Sequence, residues 1–380
     1  DDVVKTIYGS DSFGGELDKS KYFEEDLDLA LEGVVGQKEK IEKILEFAKQ
    51  KVKWNTYRGY SVDEGTKKAY KEGKGNSADI NLMLVAMLKH ANIKAHPVLV
   101  STRDHGIPMF PTLQGYNYVV AAAKVGNDYH LLDATNQYST IDVLPTRTLN
   151  WMGRMVSENG NSEIMDLMPR KKSMDMVMMN VNLNDDGSFE AKIRQQYTDN
   201  NAYMFRNIYN KGTEESFLEE MEKNQGDIEV SDYALKNNGD LAKPIIQEYS
   251  VYKEDAIETI SNKLYFSPMF HLCTTESPFK SEKREYPVDY GYPWEDKYLI
   301  SIKVPEGYQV ESTPESVVYN LPNNIGTFRY LVSANDGVIN LRASLSSEEA
   351  IVPAEYYDYL KEFYRQIVEK EQEKIVLSKI

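Results

Sequence analysis

Gly75-Asn76-Ser77-Ala78-Asp79-Ile80-Asn81-Leu82-Met83-Leu84-Val85-Ala86-Met87-Leu88-Lys89-His90 is the stretch on which the fold turns. From Ser77 to His90 it reads as a helix that is apolar nearly all round, through Ile80, Leu82, Met83, Leu84, Val85, Met87 and Leu88. A surface helix keeps a polar face, whereas a helix apolar on every side must be covered on every side. The pattern therefore predicts the central helix of a domain. Serine is a preferred N-cap and the apolar run begins just after Ser77, so Ser77 reads as that cap.

Working outward, Gln37 to Trp54 is an amphipathic helix, with Ile41, Ile44, Leu45, Ala48 and Val52 on one face. Residues 55–74 form a Gly-, Tyr- and Lys-rich loop with a short helix around Thr66–Tyr70. Strands follow at Ala95–Ser101, Asn117–Lys124 and Asp128–Asp133, the last two joined by the turn signal Gly126-Asn127. A central helix leading into an antiparallel sheet predicts an α+β fold. Residues 1–36 read as an acidic, surface-wrapping lead-in or the remnant of an upstream domain, residues 37–150 as one domain, and 151–172 as a linker containing Trp151, Gly153 and Gly160. Residues 173–380 read as an antiparallel, sandwich-like β-domain with helical insertions at Asn201–Asn210 and Glu214–Asn224. Pro353–Lys374 closes the chain as an amphipathic helix.

The 380 residues carry 44 basic and 60 acidic side chains, a net charge of −16. This argues against nucleic acid as a partner, because no broad basic face exists to neutralise phosphates. The longest apolar run, Leu82 to Leu88, is far short of the roughly 20 residues of a membrane span. A single Cys273 excludes an intrachain disulfide and a cysteine-built zinc site, and no metal or cofactor is expected. The chain opens on Asp1-Asp2, without Met or an export segment, as a mature or trimmed chain would.

Three pieces stand in a meaningful order: Gly75-Asn76-Ser77-Ala78-Asp79 opening the buried helix, Gly115-Tyr116-Asn117-Tyr118 opening a strand, and Leu131-Leu132-Asp133-Ala134-Thr135 ending the next. Here the chain resembles the transglutaminase-like superfamily of the papain-type fold, over roughly residues 37–136. The later stretches Arg284–Val288 and Val304–Tyr308 are similar to the β-domain that follows this module in certain bacterial multidomain proteins. The resemblance implies a nucleophilic Cys at the helix start, a His opening the strand and an Asp on the next strand. A helix N-terminus lowers a thiolate pKa, the His withdraws the proton, and the Asp orients the His. It also implies a periplasmic or extracellular location at the cell envelope.

The residues depart from that pattern. Ser77 stands where the resemblance implies Cys, Tyr118 where it implies His, and only Asp133 matches. A serine needs a neighbouring base, and a phenol with a pKa of about 10 is no ordinary base near neutrality. Tyr118 is expected to fill the place of the imidazole and to hydrogen-bond Asp133. Asp133 reads equally as a relic orienter or a strand-end turn residue. The expectation is a catalytically silent protein, a pseudoenzyme. Its cleft, with Trp54, Asn76, Ser77, His105, Tyr116 and Tyr118 as binding residues, would take a peptide or glycan strand. The alternative is a protease-like hydrolase or acyltransferase with Ser77 as nucleophile and His105 or a water as base. A third reading makes the module a spacer. Residues 73–77 lack P-loop spacing, and Ile193 stands where a calcium loop beginning at Asn182 needs Glu, so both motifs are set aside.

Overall fold

In the computed structural model, residues 2–110, 112–184 and 186–380 are described. Asp1 of the expected lead-in, Pro111 of the loop carrying His105, and Asp185 beside the Asp186-Gly187 turn lie outside them. The chain divides into two compact units, 1–169 and 170–380.

Unit 1 carries helices α1 (Asp2–Tyr8), α2 (Glu24–Ala30), α3 (Gln37–Lys51), α4 (Thr66–Glu72) and α5 (Ser77–His90). Its strands are β1 (Lys53–Trp54), β2 (Lys74–Gly75), β3 (Ala95–Val100), β4 (Tyr118–Val125), β5 (Asp128–Leu132), β6 (Met152–Val156) and β7 (Ser162–Asp166). β1 and β2 pair in parallel, and the others form an antiparallel sheet in the order β5-β4-β3-β6-β7. Every residue of α5 from Ser77 to Leu88 is buried, as its all-round apolarity requires. It packs against α3 on one side and β4 on another. Gly126 turns the β4–β5 hairpin at φ +60°, a conformation that glycine adopts without penalty.

Two expectations for this unit need correction. Residues 1–36 do more than wrap the surface. Val4, Ile7, Phe13, Leu17, Phe23 and Leu27 enter the same apolar core as α5. Residues 151–172 are not simply a linker, because they supply β6 and β7, and β6 pairs with β3 through Val98 and Leu99. The glycines that suggested a connection have other causes. At Gly153 a Cβ would meet Val98 Cγ1 at 2.8 Å and the Leu99 carbonyl at 2.9 Å, and Gly160 turns between the strands at φ +73°.

Unit 2 is β-rich. Its strands in chain order are β8 (Ser173–Leu183), β9 (Phe189–Tyr197), β10 (Glu229–Lys236), β11 (Ile245–Lys253), β12 (Glu258–Ile260), β13 (Lys263–Phe266), β14 (Val288–Asp289), β15 (Trp294–Lys303), β16 (Tyr308–Ser312), β17 (Val317–Asn320), β18 (Gly326–Asn335), β19 (Val338–Ser347), β20 (Ile351–Val352) and β21 (Ile375–Lys379). Helices α6 (Asp199–Tyr209) and α7 (Glu214–Asn224) follow β9, and α8 (Tyr357–Glu371) precedes β21. An eight-stranded sheet runs β10-β11-β9-β8-β15-β19-β18-β17, and a four-stranded sheet runs β12-β13-β21-β16. Apolar side chains of both sheets share one core with Leu360, Phe363 and Ile367 of α8.

This unit is not wholly antiparallel, since β8 and β15 pair in parallel from Ser173–Trp294 to Asn182–Lys303. Nor does the chain end on the helix. α8 stops at Glu371, and Ile375 and Leu377 bury themselves as β21 between β13 and β16. Five residues with alternate apolar positions are too short a signal to stand out after a strong helical stripe.

Gly153→Ala should lower the unfolding free energy by about 1–3 kcal/mol, because its methyl group has no room. Urea denaturation checks this; a neutral outcome would return residues 151–172 to the status of a connector.

Candidate functional site

The start of α5 is closed by its own sequence. Asn76, in extended conformation, accepts the Asp79 amide at 2.8 Å through Oδ1, and Asp79 Oδ2 accepts the Asn76 amide at 2.9 Å. This capping box makes Asn76 the N-cap and Ser77 the first helical residue, which corrects the expectation that Ser77 caps. Asparagine is as good a cap as serine, and Asp79 three residues on completes the pair.

Ser77 is fully buried. Its amide donates to the Tyr57 carbonyl at 3.2 Å. Its Oγ donates to the Gly59 carbonyl at 2.8 Å and accepts the Gly59 amide at 2.9 Å. Asn76 Nδ2 donates to the Ser61 carbonyl at 3.0 Å, and Trp54 Nε1 to the Tyr57 carbonyl at 2.8 Å. Residues 57–61 are thereby laid across the helix start. Gly59 fits closely there: a Cβ would come within 3.1 Å of the Ser61 carbonyl and 3.2 Å of Asn76 Nδ2. An Arg58–Asp104 ion pair ties this segment to the loop after β3, and the Arg58 hydrogen bond holds the Asp104 carboxyl down to about 2.

One helical turn beyond Ser77, Asn81 reaches the ends of two strands. Its Nδ2 donates to the Val119 carbonyl at 2.9 Å and to Asp133 Oδ1 at 3.0 Å, and its Oδ1 accepts the Ala134 amide at 2.9 Å. Asp133, fully buried, also accepts the Thr135 amide at 2.9 Å and the Tyr118 hydroxyl at 2.9 Å. The Tyr118 oxygen lies 2.7 Å from Thr135 Oγ1 and accepts Arg147 Nη2 at 3.2 Å. The Arg147 guanidinium sits 4.1 Å from the centroid of the Trp54 ring and 5.5 Å from that of Tyr118. Burial, and next the charge of Asp133, hold the Tyr118 phenol well above its ordinary pKa. It stays protonated and gives its proton to Asp133 in a hydrogen bond.

The structure thus joins Tyr118 and Asp133 directly. Ser77 lies on the same helix face as Asn81, which touches Asp133, but its hydroxyl is engaged by Gly59. His105 does not approach Ser77: its Nε2 lies 2.8 Å from the Gln114 carbonyl. Among the described residues, no hydrogen bond joins any of the five histidines to Ser77. An open groove of about 540 Å³ lies beside the helix start, lined by residues 57–63 with Asn76, Tyr116 and Asn117. Of the expected binding residues, Asn76 and Tyr116 line it. Ser77 and Tyr118 are buried, Trp54 stacks on Arg147, and His105 lies on the outer loop. Sequence reasoning missed Asn81, Thr135 and Arg147. Asn81 alone was signalled, as a polar residue inside an apolar helix four positions after Ser77. Among the described residues, no group of three or more His, Cys, Asp or Glu side chains is placed to hold a metal ion.

Ser77→Ala removes both bonds to Gly59 and should cost about 1–3 kcal/mol, the value of buried partners left unmet. Tyr118→Phe, which strips one donor from a buried carboxylate, should cost about as much. Chemical denaturation reads both; a neutral Tyr118→Phe would show that the phenol is not what holds Asp133.

Residues 29–134 match the Transglutaminase-like superfamily model, and residues 262–377 match a domain of unknown function with solved structure, DUF3858. A crystal structure from Parabacteroides distasonis ATCC 8503, described as a "putative protease", aligns with a TM-score of 0.57 at 11% identity. The alignment covers 99% of this chain and 58% of that one, so this chain spans little more than half of its structural neighbour. A baculovirus P35 structure aligns at a TM-score of 0.12 and 8% identity, over 54% of this chain and 96% of that one, and carries no argument. No curated protein matches. The chain therefore contains a transglutaminase-like superfamily domain at residues 29–134, followed by a β-rich unit with a DUF3858 domain.

Proposed function

We propose that the transglutaminase-like domain binds a ligand and does not perform acyl transfer. The observation that carries this is the state of Ser77: buried, with its proton given to the Gly59 carbonyl and its lone pair to the Gly59 amide. A nucleophile must reach its substrate and have a base within hydrogen-bond reach. Tyr118 points the wrong way for that task, since it donates a proton to Asp133. The alternative, Ser77 attacking with His105 or a water as base, would require residues 57–61 to lift away and the His105 loop to turn inward.

The guest we favour is a peptide, held in the groove by Tyr57, Tyr60 and Tyr116 with Arg58 and Asp63 at its margins. Aromatic rings with a few polar groups suit recognition of an extended chain. The description of the Parabacteroides structure agrees with a peptide-handling ancestry. A cell-envelope location belongs to the same proposal and rests on family resemblance alone.

Isothermal titration with short peptides and, in parallel, chito-oligosaccharides separates the guests. Peptides should bind, and Tyr60→Ala or Tyr116→Ala should weaken them about tenfold, as an aromatic anchor does. Saturable binding of glycans alone would replace the peptide reading, and binding of neither would favour the spacer. Amidase or esterase turnover that disappears in Ser77→Ala would overturn the proposal itself.

A further inference from the structure

One face of the eight-stranded sheet belongs to the core of unit 2, through Met179, Ile300, Leu341 and Tyr330 on neighbouring strands. Side chains alternate along a strand, so Met178, Leu299, Arg342 and Leu331 leave by the opposite face. The register sets them side by side across four strands. Met178 on β8 stands beside Leu299 on β15, Leu299 beside Arg342 on β19, and Arg342 beside Leu331 on β18. All four are exposed, Met178 at 36%, Leu299 at 39% and Leu331 at 43%. Two residues along β18, Arg329 pairs with Val318 on β17, also exposed. Single apolar residues scattered on a surface mean little, whereas a contiguous row marks an interaction surface.

The charges on this face are unevenly answered. Arg194 and Lys297, beside the row, meet Glu248 and Glu295 at 3.5 and 3.1 Å. Among the described residues Arg329 and Arg342 make no hydrogen bond or ion pair. They are diagonal neighbours on β18 and β19, close enough for their like charges to repel. A carboxylate set between them relieves that repulsion.

A complementary surface is present on the chain itself. On α2 and the turn after it, Glu25, Asp28, Leu29 and Glu32 fall at i, i+3, i+4 and i+7, on one helical face. Leu29 is 74% exposed. Asp28 meets His90 Nε2 at 2.8 Å, while Glu25 and Glu32 make no hydrogen bond or ion pair among the described residues. Neighbours on such a face lie about 5–6 Å apart, close to the roughly 4.8 Å between strands. The face can therefore lie across the row, with Leu29 on the apolar side chains and the carboxylates at Arg329 and Arg342.

We propose that this face of unit 2 docks α2 of a second copy of the chain. Each copy carries one acidic α2 and one basic and apolar row, so two copies can exchange both contacts and close as a two-fold dimer. A guanidinium takes a carboxylate through two parallel N–H donors, which fits Arg329 and Arg342 to this role. A nucleic acid or an anionic membrane would also attract the arginines. Such an extended polyanion would meet the rest of a chain whose net charge is −16, whereas one short helix meets the row alone. The contact stands independently of the groove beside Ser77.

Sedimentation equilibrium of the full chain at up to about 200 µM, in about 50 mM and about 500 mM salt, tests this. The chain should dimerise at the lower salt, and the dimer should weaken about tenfold or more at the higher. Arg329→Glu with Arg342→Glu should leave it monomeric, and so should Glu25→Lys with Glu32→Lys. A chain bearing all four substitutions should dimerise again, because the charges have only traded places. Leu29→Ser should weaken the dimer about tenfold or more, the worth of a buried leucine. If the arginine pair of substitutions prevents folding, the glutamate pair carries the same expectation. A chain monomeric at low salt, a dimer indifferent to both pairs, or no recovery with all four would each overturn the proposal. Phosphatidylserine vesicles that bind the unsubstituted chain but not the arginine variant would give the face to a membrane and overturn it too.

Discussion

A carboxylate taken fully out of water must have its oxygens met by donors, and Asp133 imposes that condition on unit 1. Its donors come from three places: Asn81 on α5, the Thr135 amide in its own turn, and the Tyr118 hydroxyl at the start of β4. Satisfying one side chain therefore fixes the depth of α5 against the ends of two strands. The surrounding apolar packing supplies most of the burial energy but is tolerant of sliding; the hydrogen bonds to Asp133 are not.

The same condition explains why a phenol is at home at position 118. An imidazole there would bring a second titratable base, whereas tyrosine offers a donor that stays protonated across the physiological range. Arg147 then finds the Tyr118 oxygen and Thr135 as acceptors, and its plane covers Trp54. At the helix start the role of Ser77 is structural too. A serine hydroxyl both donates and accepts, and Ser77 uses both capacities on Gly59. The loop over the helix start is held by these bonds and by Asn76, and the groove lies beside it.

Much of this was legible in the sequence because it depended on local patterns. The all-round apolarity of residues 80–88 announced a buried helix, and Gly126-Asn127 announced the β4–β5 hairpin. The pairing of Tyr118 with Asp133 followed once both were placed at the ends of neighbouring strands. What stayed hidden depended on contacts distant in sequence. Gly153 looked like punctuation because its real constraint is the side chain of Val98. The cap at Asn76 was missed because two adjacent residues were both good caps and only Asp79 decides between them. Arg147 offers no local signal at all. In unit 2 the parallel β8–β15 register makes neighbours of Asp175 and Asp296, which stand more than a hundred positions apart in the chain.

Among the described residues the Ser77 hydroxyl is engaged by Gly59 and makes no hydrogen bond to a histidine or carboxylate. Treatment of the folded protein with a fluorophosphonate that labels activated serines, followed by peptide mass spectrometry, addresses it directly. The account predicts that Ser77 remains unmodified in the native chain. Stoichiometric labelling at Ser77 would contradict it.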